Sequence, residues 1–326
     1  MLCIINNSTD PWFNLAAEDY LLHNFTVDCF MLWRNERTIV VGKHQNTLAE
    51  INMDHVREKG IGVARRLSGG GAVYHDLGNL NFTFIVNGKE GKLVDFKRFT
   101  LPVQEVLRKL GVDAEFTGKN NLTIKGRKIS GNAEHVYRKR VLHHGTLLFS
   151  SEMDELSMAL RVNPLKYRSK AVKSIRSRVT NIKDHLDIDM NVVQFRDLIL
   201  DHIMKTRHDS MVYEFSDNDL ASIEKLRTDK YNTWEWNFGY SPDYDFEKSV
   251  VTNGGVVRIC LNVSGGIIRK ANIYSDQPAG ADLYVLEGIL EGARHEKGEL
   301  RRRLKPVALN NYIENITPDD FIRGMF

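Results

Sequence analysis

Residues 65–79 read Arg65-Arg66-Leu67-Ser68-Gly69-Gly70-Gly71-Ala72-Val73-Tyr74-His75-Asp76-Leu77-Gly78-Asn79. An extended run, IGVARR (61–66), leads into this stretch, and a regular element must stop where three successive glycines offer no side chain to pack. The missing Cβ atoms let backbone N–H groups approach a ligand and form an anion-binding nest, and Arg66 adds a cation of fixed geometry. A glycine triplet after a strand is, taken alone, more often a flexible surface turn. Here a double arginine precedes it, and a His-Asp pair with Gly78-Asn79 follows within eight residues, a density that favours a site.

Working outward, the pattern is mixed α and β without repeats. Asp10-Pro11 starts a helix running to about Asn24, because the carboxylate caps free N–H groups and proline needs no donor at the first position. Residues 28–34 and 38–42 are β-rich, and 48–59 reads as one helix closed by Gly60. Downstream, AVYHD and LNFTFIV flank a turn at Gly78-Asn79, a helix fits 96–110, and NNLTIKG, RKISGNAEHVY and VLHHGTLLFS are strand candidates. Residues 156–183 hold eight Lys or Arg and no Asp or Glu, and read as a long basic loop interrupted by Pro164. Helices follow near 191–206 and 217–228. The aromatic stretch 231–245 then shifts the composition, and NGG (253–255) and SGG (264–266) separate three β-like runs ahead of a helical remainder. This predicts two domains, 1–243 and 244–326.

The chain has neither GxxxxGK[ST] nor GxGxxG, so the two common nucleotide-binding fingerprints are missing. A second constellation is Lys125-Gly126-Arg127-Lys128-Ile129-Ser130-Gly131-Asn132-Ala133, followed by His143-His144-Gly145. One lysine of such a hairpin can face a pocket while its neighbours stay in water, although a bare KxxGxA is also what an exposed basic turn looks like. On a strand, His143 and His144 point to opposite faces, so at most one is expected to line a pocket and the other to be a satisfied core histidine.

Taken together, RRLSGGGAVYHDLGN, KISGNA, HHGTLL, SIRSRVTN (174–181) and WEWNFG resemble the motifs of the lipoate–protein ligase A family, in that family's order. The resemblance implies an α/β (α+β) protein: a catalytic domain like that of biotin protein ligases, with mixed β-sheets, and a small α/β C-terminal accessory domain. It implies an ATP-dependent reaction in which lipoate becomes lipoyl-AMP and the acyl group passes to a lysine of acceptor lipoyl domains, those of 2-oxoacid dehydrogenase E2 subunits and the glycine cleavage H protein. Lys128 matches the family's essential lysine. By the same carry-over, Arg66, Gly71, Ala72, Val73, Tyr74 and Lys128 hold ATP. Gly70, His75, Asn79, Lys128, Gly131, Ala133 and His144 border lipoate or lipoyl-AMP, with Ser68 and Asn79 second-rank. The basic segment with Arg176 and Arg178 is the adenylate loop, and Mg2+ is expected on the ATP phosphates with no protein ligand.

Composition bounds the alternatives. With 45 Lys and Arg against 42 Asp and Glu in 326 residues, the net charge of +3 makes no case for nucleic acid, and a basic nucleic-acid-binding protein would leave SGGG and KISGNA unexplained. Three cysteines without CxxC or metal-ligand spacing argue against a disulfide scaffold and a structural zinc. A cytoplasmic setting, no signal peptide, no membrane span and a monomer are expected. An octanoyl or lipoyl transferase of the same fold is the rival enzyme, yet its cysteine-dependent form needs a thiolate and no cysteine lies between Cys29 and Cys260. For biotin protein ligase, the expected glycine-arginine-rich loop is replaced by RRLSGGG.

Overall fold

The computed structural model describes residues 1–88, 94–160, 166–175, 177–252, 255–276 and 281–326. Its strands are β1 (Leu2–Ile5), β2 (Cys29–Trp33), β3 (Thr38–Val41), β4 (Gly62–Arg65), β5 (Val73–His75), β6 (Asn79–Asn87), β7 (Glu115–Thr117), β8 (Asn121–Ile124), β9 (Arg127–Tyr137), β10 (Arg140–Leu148), β11 (Tyr167–Ser169), β12 (Met211–Val212), β13 (Tyr244–Thr252), β14 (Gly255–Ser264) and β15 (Ile267–Ser275). Its helices are α1 (Pro11–Asn24), α2 (Thr47–Glu50), α3 (Met53–Glu58), α4 (Phe96–Lys109), α5 (Met153–Ala159), α6 (Val192–Thr206), α7 (Asp217–Leu226), α8 (Leu283–Leu290), α9 (Lys297–Leu304) and α10 (Pro318–Arg323). The chain divides into two compact units, 1–43 with 52–161 and 173–233, and 44–51 with 162–172 and 234–326.

In the first unit a mixed sheet runs β12-β1-β2-β6-β10-β9-β8-β7, and a smaller one runs β4-β3-β5. β1 and β2 are parallel, which requires a crossover, and α1 supplies it. Asp10 caps α1 by accepting from Trp12 and Phe13 N–H, with Pro11 at the first turn, as the sequence predicts. On one face of the large sheet, Leu80, Phe82, Phe84 and Val86 of β6 pack with Phe99, Val103 and Leu107 of α4 and Phe195 and Ile199 of α6. The other face meets α1. β6 therefore alternates apolar toward α4 and α6 with Asn79, Asn81 and Thr83 toward α1, and these three polar side chains are at most 1% exposed.

The structure corrects three local expectations. The helix expected over 48–59 is two short helices broken at Ile51-Asn52, where Asn52 caps α3 by accepting from His55 N–H; Gly60 ends the segment at φ +62°. Asn79 is the first residue of β6 rather than part of the turn, which falls at Leu77-Gly78 and carries the chain from the small sheet to the large one. The basic stretch is not one loop, since its start belongs to α5 and residues 167–169 form β11. Pro164 lies outside the described residues.

The second unit is built on an antiparallel sheet β11-β13-β14-β15 followed by α8, α9 and α10. His295 ties its C-terminal end down. The Tyr244 hydroxyl donates to Nδ1 at 2.6 Å, Nε2–H donates to the Met325 carbonyl, and the ring stacks on Phe326 at 4.6 Å. Burial pushes this histidine down to about 4, so the imidazole is neutral at pH 7.

Gly145 of β10 sits opposite Asn132 of β9, and a Cβ there would lie 2.1 Å from Asn132 Oδ1 and 2.6 Å from the Phe82 ring. Gly145→Ala is expected to destabilise the protein by about 1–3 kcal/mol through overpacking, read as a lower denaturant midpoint at unchanged slope.

Candidate active site

β4 and β5 flank β3, and residues 66–72 cross between them. Arg66 organises this crossing. Its Nε donates to Ser68 Oγ (3.0 Å), Nη1 to the Val40 carbonyl (3.1 Å), and Nη2 to the carbonyls of Gly69 (2.7 Å) and Gly71 (2.8 Å). In a trans peptide the N–H points opposite to the C=O, so drawing the Gly69 and Gly71 carbonyls toward Arg66 turns the Gly70 and Ala72 N–H groups to the other side. Gly70 takes φ +92°, which favours glycine, and its carbonyl approaches Gly42 so closely that a Cβ on Gly42 would meet it at 2.2 Å. Burial pushes Arg66 down to about 10, still a cation at neutral pH.

From Arg66 a polar chain runs beneath α1. Ser68 Oγ lies 2.6 Å from His144 Nε2, His144 Nδ1 is 2.9 Å from Glu18 Oε1, Thr83 Oγ1 donates to Glu18 Oε1 at 2.6 Å, and Trp33 Nε1 donates to Thr83 Oγ1 at 2.9 Å. One set of proton positions satisfies every member: Arg66 donates to Ser68, Ser68 donates to His144 Nε2, and His144 Nδ1–H donates to Glu18. His143 faces the other way, against Phe99 at 4.7 Å and Glu134 Oε1 at 2.9 Å, the core histidine that the strand alternation predicts.

His75 accepts from Asn35 Nδ2 through Nδ1 at 3.0 Å, which leaves the proton on Nε2, and that buried atom has no hydrogen-bond partner. Burial first, then the charge of Arg66 and the neighbouring His144, push its pKa down to about 3, so it is a neutral donor at pH 7. Asn79 Nδ2 donates to Asn81 Oδ1, and Asn79 Oδ1 and Asn81 Nδ2 are left buried and unmatched. Unmatched buried polar atoms of this kind are costly in an empty protein and useful in one that takes a polar ligand.

Lys128 owes its direction to a bulge. Thr123 pairs with Lys128 and Leu122 with Ser130, so Ile129 is the extra residue of β9, and the slip puts Lys128 and Gly131 on one face. Nζ lies 2.8 Å, and Cε 3.0 Å, from where a Cβ on Gly131 would be; the lysine runs through the space that this glycine leaves. Among the described residues no carboxylate or carbonyl oxygen is in hydrogen-bonding reach of Nζ. Its pKa is lowered, by burial first and by the charge of Arg66 second, so two cations face one site. Ala133 pairs with His144, which completes the wall.

The basic segment separates into an anchor and a loop. Lys128 N–H donates to the Arg178 carbonyl at 2.8 Å and Thr180 N–H returns to the Lys128 carbonyl at 3.1 Å. Asn181 exchanges two hydrogen bonds with the Ser151 backbone, and Ile182 N–H reaches the Leu148 carbonyl at 2.7 Å. Before the anchor, Ser174 Oγ accepts from Ala72 N–H at 2.9 Å. The Arg178 side chain is exposed, and Arg176 lies outside the described residues.

Residues 10–204 match the lipoyl protein ligase A/B catalytic domain and residues 241–325 the bacterial lipoate protein ligase C-terminus. Lipoate–protein ligase 1 of Staphylococcus aureus is 41% identical over 323 residues, 98% of each chain, and lipoate-protein ligase LplJ of Bacillus subtilis is 41% identical over 327 residues, 99% of each. The chain belongs to the lipoate–protein ligase family. Among solved structures, that of P. falciparum LipL1 in complex with lipoate is similar at a TM-score of 0.64 and 26% identity, covering 99% of this chain and 97% of that one. A lipoate-protein ligase A bound with ATP matches at a TM-score of 0.63 and 26% identity over 73% of this chain and 98% of that one.

In this ligase, Arg66, Ser68, Gly70, Gly71, Ala72, His75, Lys128, Gly131, Ala133 and His144 gather around one site. Val73 and Tyr74 lie on β5, an edge strand, while the Tyr74 hydroxyl is buried on the side of Arg37 and Glu152. Asp76 is structural: it accepts from Gly78 N–H and Glu152 N–H. Sequence reading missed Glu18, Trp33, Asn35, Thr83 and Asn181. Glu18 carried a signal, because it stands at helical spacing between Leu15 and Leu21-Leu22 of α1, where a carboxylate needs a partner.

Gly131→Ala isolates the lysine's path from the fold. The added methyl meets only the flexible end of Lys128, so stability is expected to stay within about 1 kcal/mol while lipoate-dependent pyrophosphate exchange falls about 10–100-fold.

Proposed function

We propose that this chain is an ATP-dependent lipoate–protein ligase that performs both half-reactions around Lys128. The observation that carries the reading is a half-buried lysine ammonium with, among the described residues, no acid in hydrogen-bonding reach, facing a buried second cation and a glycine loop with N–H groups turned outward. Such a site is repulsive when empty and is neutralised by anions.

In the first half-reaction a lipoate carboxylate oxygen attacks the α-phosphorus of ATP, the bond to the β-phosphate oxygen breaks, and pyrophosphate leaves. Lys128 between carboxylate and α-phosphate offsets their repulsion and stabilises the charge on the phosphoryl oxygens. In the second, a deprotonated acceptor lysine amine attacks the acyl carbon and AMP leaves, its phosphate still facing Lys128. Lys128 is thus an electrostatic catalyst and need not form a covalent bond. Gly71 and Ala72 receive phosphate, the outer edge of Val73-Tyr74 offers backbone groups to the base, and Arg66 supplies positive potential from behind the loop. Gly70, His75, Asn79, Gly131, Ala133 and His144 line the acyl side, with the His75 Nε2–H donor available to an oxygen. The segment carrying Arg176 and Arg178 closes over the adenylate and keeps water from it. Magnesium enters as part of the Mg–ATP substrate, held by phosphate oxygens and water. Acidic lipoyl domains are the acceptors. A structure of a bipartite lipoate protein ligase and its E2 lipoyl domain from Thermoplasma acidophilum, 26% identical at a TM-score of 0.64 over 73% of this chain and 96% of that one, supports the acceptor class. A cysteine route finds no support in Cys29, whose burial on β2 pushes its thiol up to about 11.

Lys128→Ala should leave circular dichroism unchanged and lower lipoate-dependent pyrophosphate release by at least about 100-fold; rapid adenylation by a folded variant would remove Lys128 from its role. Because Lys128 is cationic only below a depressed pKa, the alkaline limb of kcat/KM should fall before the ordinary lysine value of 10.5, and the limb of kcat, with anions bound, should lie higher.

The acceptor reading has its own test. Transfer from lipoyl-AMP to subsaturating apo lipoyl domain should slow with added salt, over a screening length of about 8–10 Å, while adenylation in the enclosed site should respond little.

A further inference from the structure

The anion nest is not open in the free chain. Ser174 Oγ accepts from the Ala72 N–H at 2.9 Å, and the Ser174 Cα, Cβ and Oγ lie 3.1–3.3 Å from where a Cβ on Gly71 would stand, so this serine packs on the bare backbone of the loop. A hydroxyl oxygen accepting from a nest N–H does what a phosphate oxygen would do there. The neighbours give this contact its meaning. Ile175 is 90% exposed and Val172 N–H donates to the His44 carbonyl at 3.1 Å, while from Arg178 onward the segment is fastened to Lys128 and Leu148 by backbone hydrogen bonds and to Ser151 by the Asn181 side chain. Ser174 is thus a contact upstream of a strong anchor, and it occupies a donor that Arg66 has oriented.

We propose that the Ser174 hydroxyl holds the place of a nucleotide phosphate oxygen at the Ala72 N–H, so that ATP enters by displacing Ser174 and binding of nucleotide and release of this part of the basic segment are one event. The proposal rests on the reading of the glycine loop as the ATP phosphate site. Its physical content is an exchange of acceptors. The N–H is matched before and after, so the loop keeps its shape while empty, and the exchange favours phosphate because a charged acceptor makes the stronger hydrogen bond. ATP affinity is reduced by the fraction of chains in which Ser174 holds the donor. Release frees Ser174, Lys173 and Ile175 to take up positions over the bound nucleotide, while the anchor at Lys128 keeps the segment within reach.

The test is titration of the full-length protein with the non-hydrolysable analogue α,β-methylene-ATP and magnesium by calorimetry, which requires nucleotide binding but no lipoate chemistry. Ser174→Ala removes the competing acceptor and is expected to tighten binding roughly three- to ten-fold, with a matching fall in the KM for ATP. Ser174→Thr, which keeps the hydroxyl, is expected to bind like the parent. Unchanged or weaker binding by Ser174→Ala would overturn the proposal, as would equal tightening by both variants, which would assign the effect to loop packing. Failure of the functional reading looks different: the parent protein would then show no lipoate-dependent pyrophosphate exchange, whatever the analogue titration gives.

Discussion

A guanidinium buried away from water is costly unless nearly all its donors are matched, and Arg66 meets that demand with backbone carbonyls and a hydroxyl instead of an acid. Much of the site is a consequence. By fixing the Gly69 and Gly71 carbonyls it turns the intervening N–H groups outward. By donating to Ser68 Oγ it directs the serine proton to His144, which in turn directs Nδ1–H to Glu18. The charge left without a carboxylate in contact also lowers the pKa of Lys128 and of His75. One side chain therefore sets the geometry of the loop, the tautomer at its floor and the sign of the field across the pocket.

The two strands opposite are arranged by what they lack. On β9 the bulge at Ile129 brings Lys128 to the face of Gly131, where no side chain stands in its way. On β10 the missing side chain of Gly145 makes room for Asn132, whose Oδ1 lies 3.3 Å from His143 Nε2 on the far face. Lys128 and His143 thus sit on opposite faces of one strand pair, the first in a polar pocket and the second among phenylalanines. The anchor at Arg178–Thr180 then holds the backbone of Lys128 by both its N–H and its C=O.

The strong local signals could be read from sequence, and the long-range ones could not. Asp10-Pro11, the alternation of β6 and β10, and the pairing of SGGG with two upstream arginines each state their structure within a few residues. The break at Ile51-Asn52 was hidden because Asn52 works as a cap only through its own side chain, and asparagine inside a helical pattern gives no firm sign of doing so. The second half of SIRSRVTN looked like the rest of a basic loop, yet Asn181 there is a structural clamp on Ser151, a partner 30 residues away. Arg66 was expected to reach for phosphate. Its donors go instead to the loop that presents the N–H groups, a distinction that needs three-dimensional positions.

The face of the large sheet beneath α1 shows why such a site persists. Asn79, Asn81, Thr83 and Glu18 occupy positions where apolar residues would pack at lower cost, and Asn79 Oδ1 and Asn81 Nδ2 there, like His75 Nε2 on the small sheet, remain unmatched. Those three buried orphans, and two cations with no carboxylate in hydrogen-bonding contact among the described residues, leave the folded state less stable than it could be, and each of those deficits is of a kind that a polar, anionic ligand removes. Under the proposed function, binding restores hydrogen bonds and charge balance together, and more strongly as charge grows on the phosphoryl and acyl oxygens than in the ground state. That differential is what accelerates a reaction, because only interactions that strengthen toward the transition state lower its barrier. The instability of the empty pocket and its capacity for catalysis have the same source.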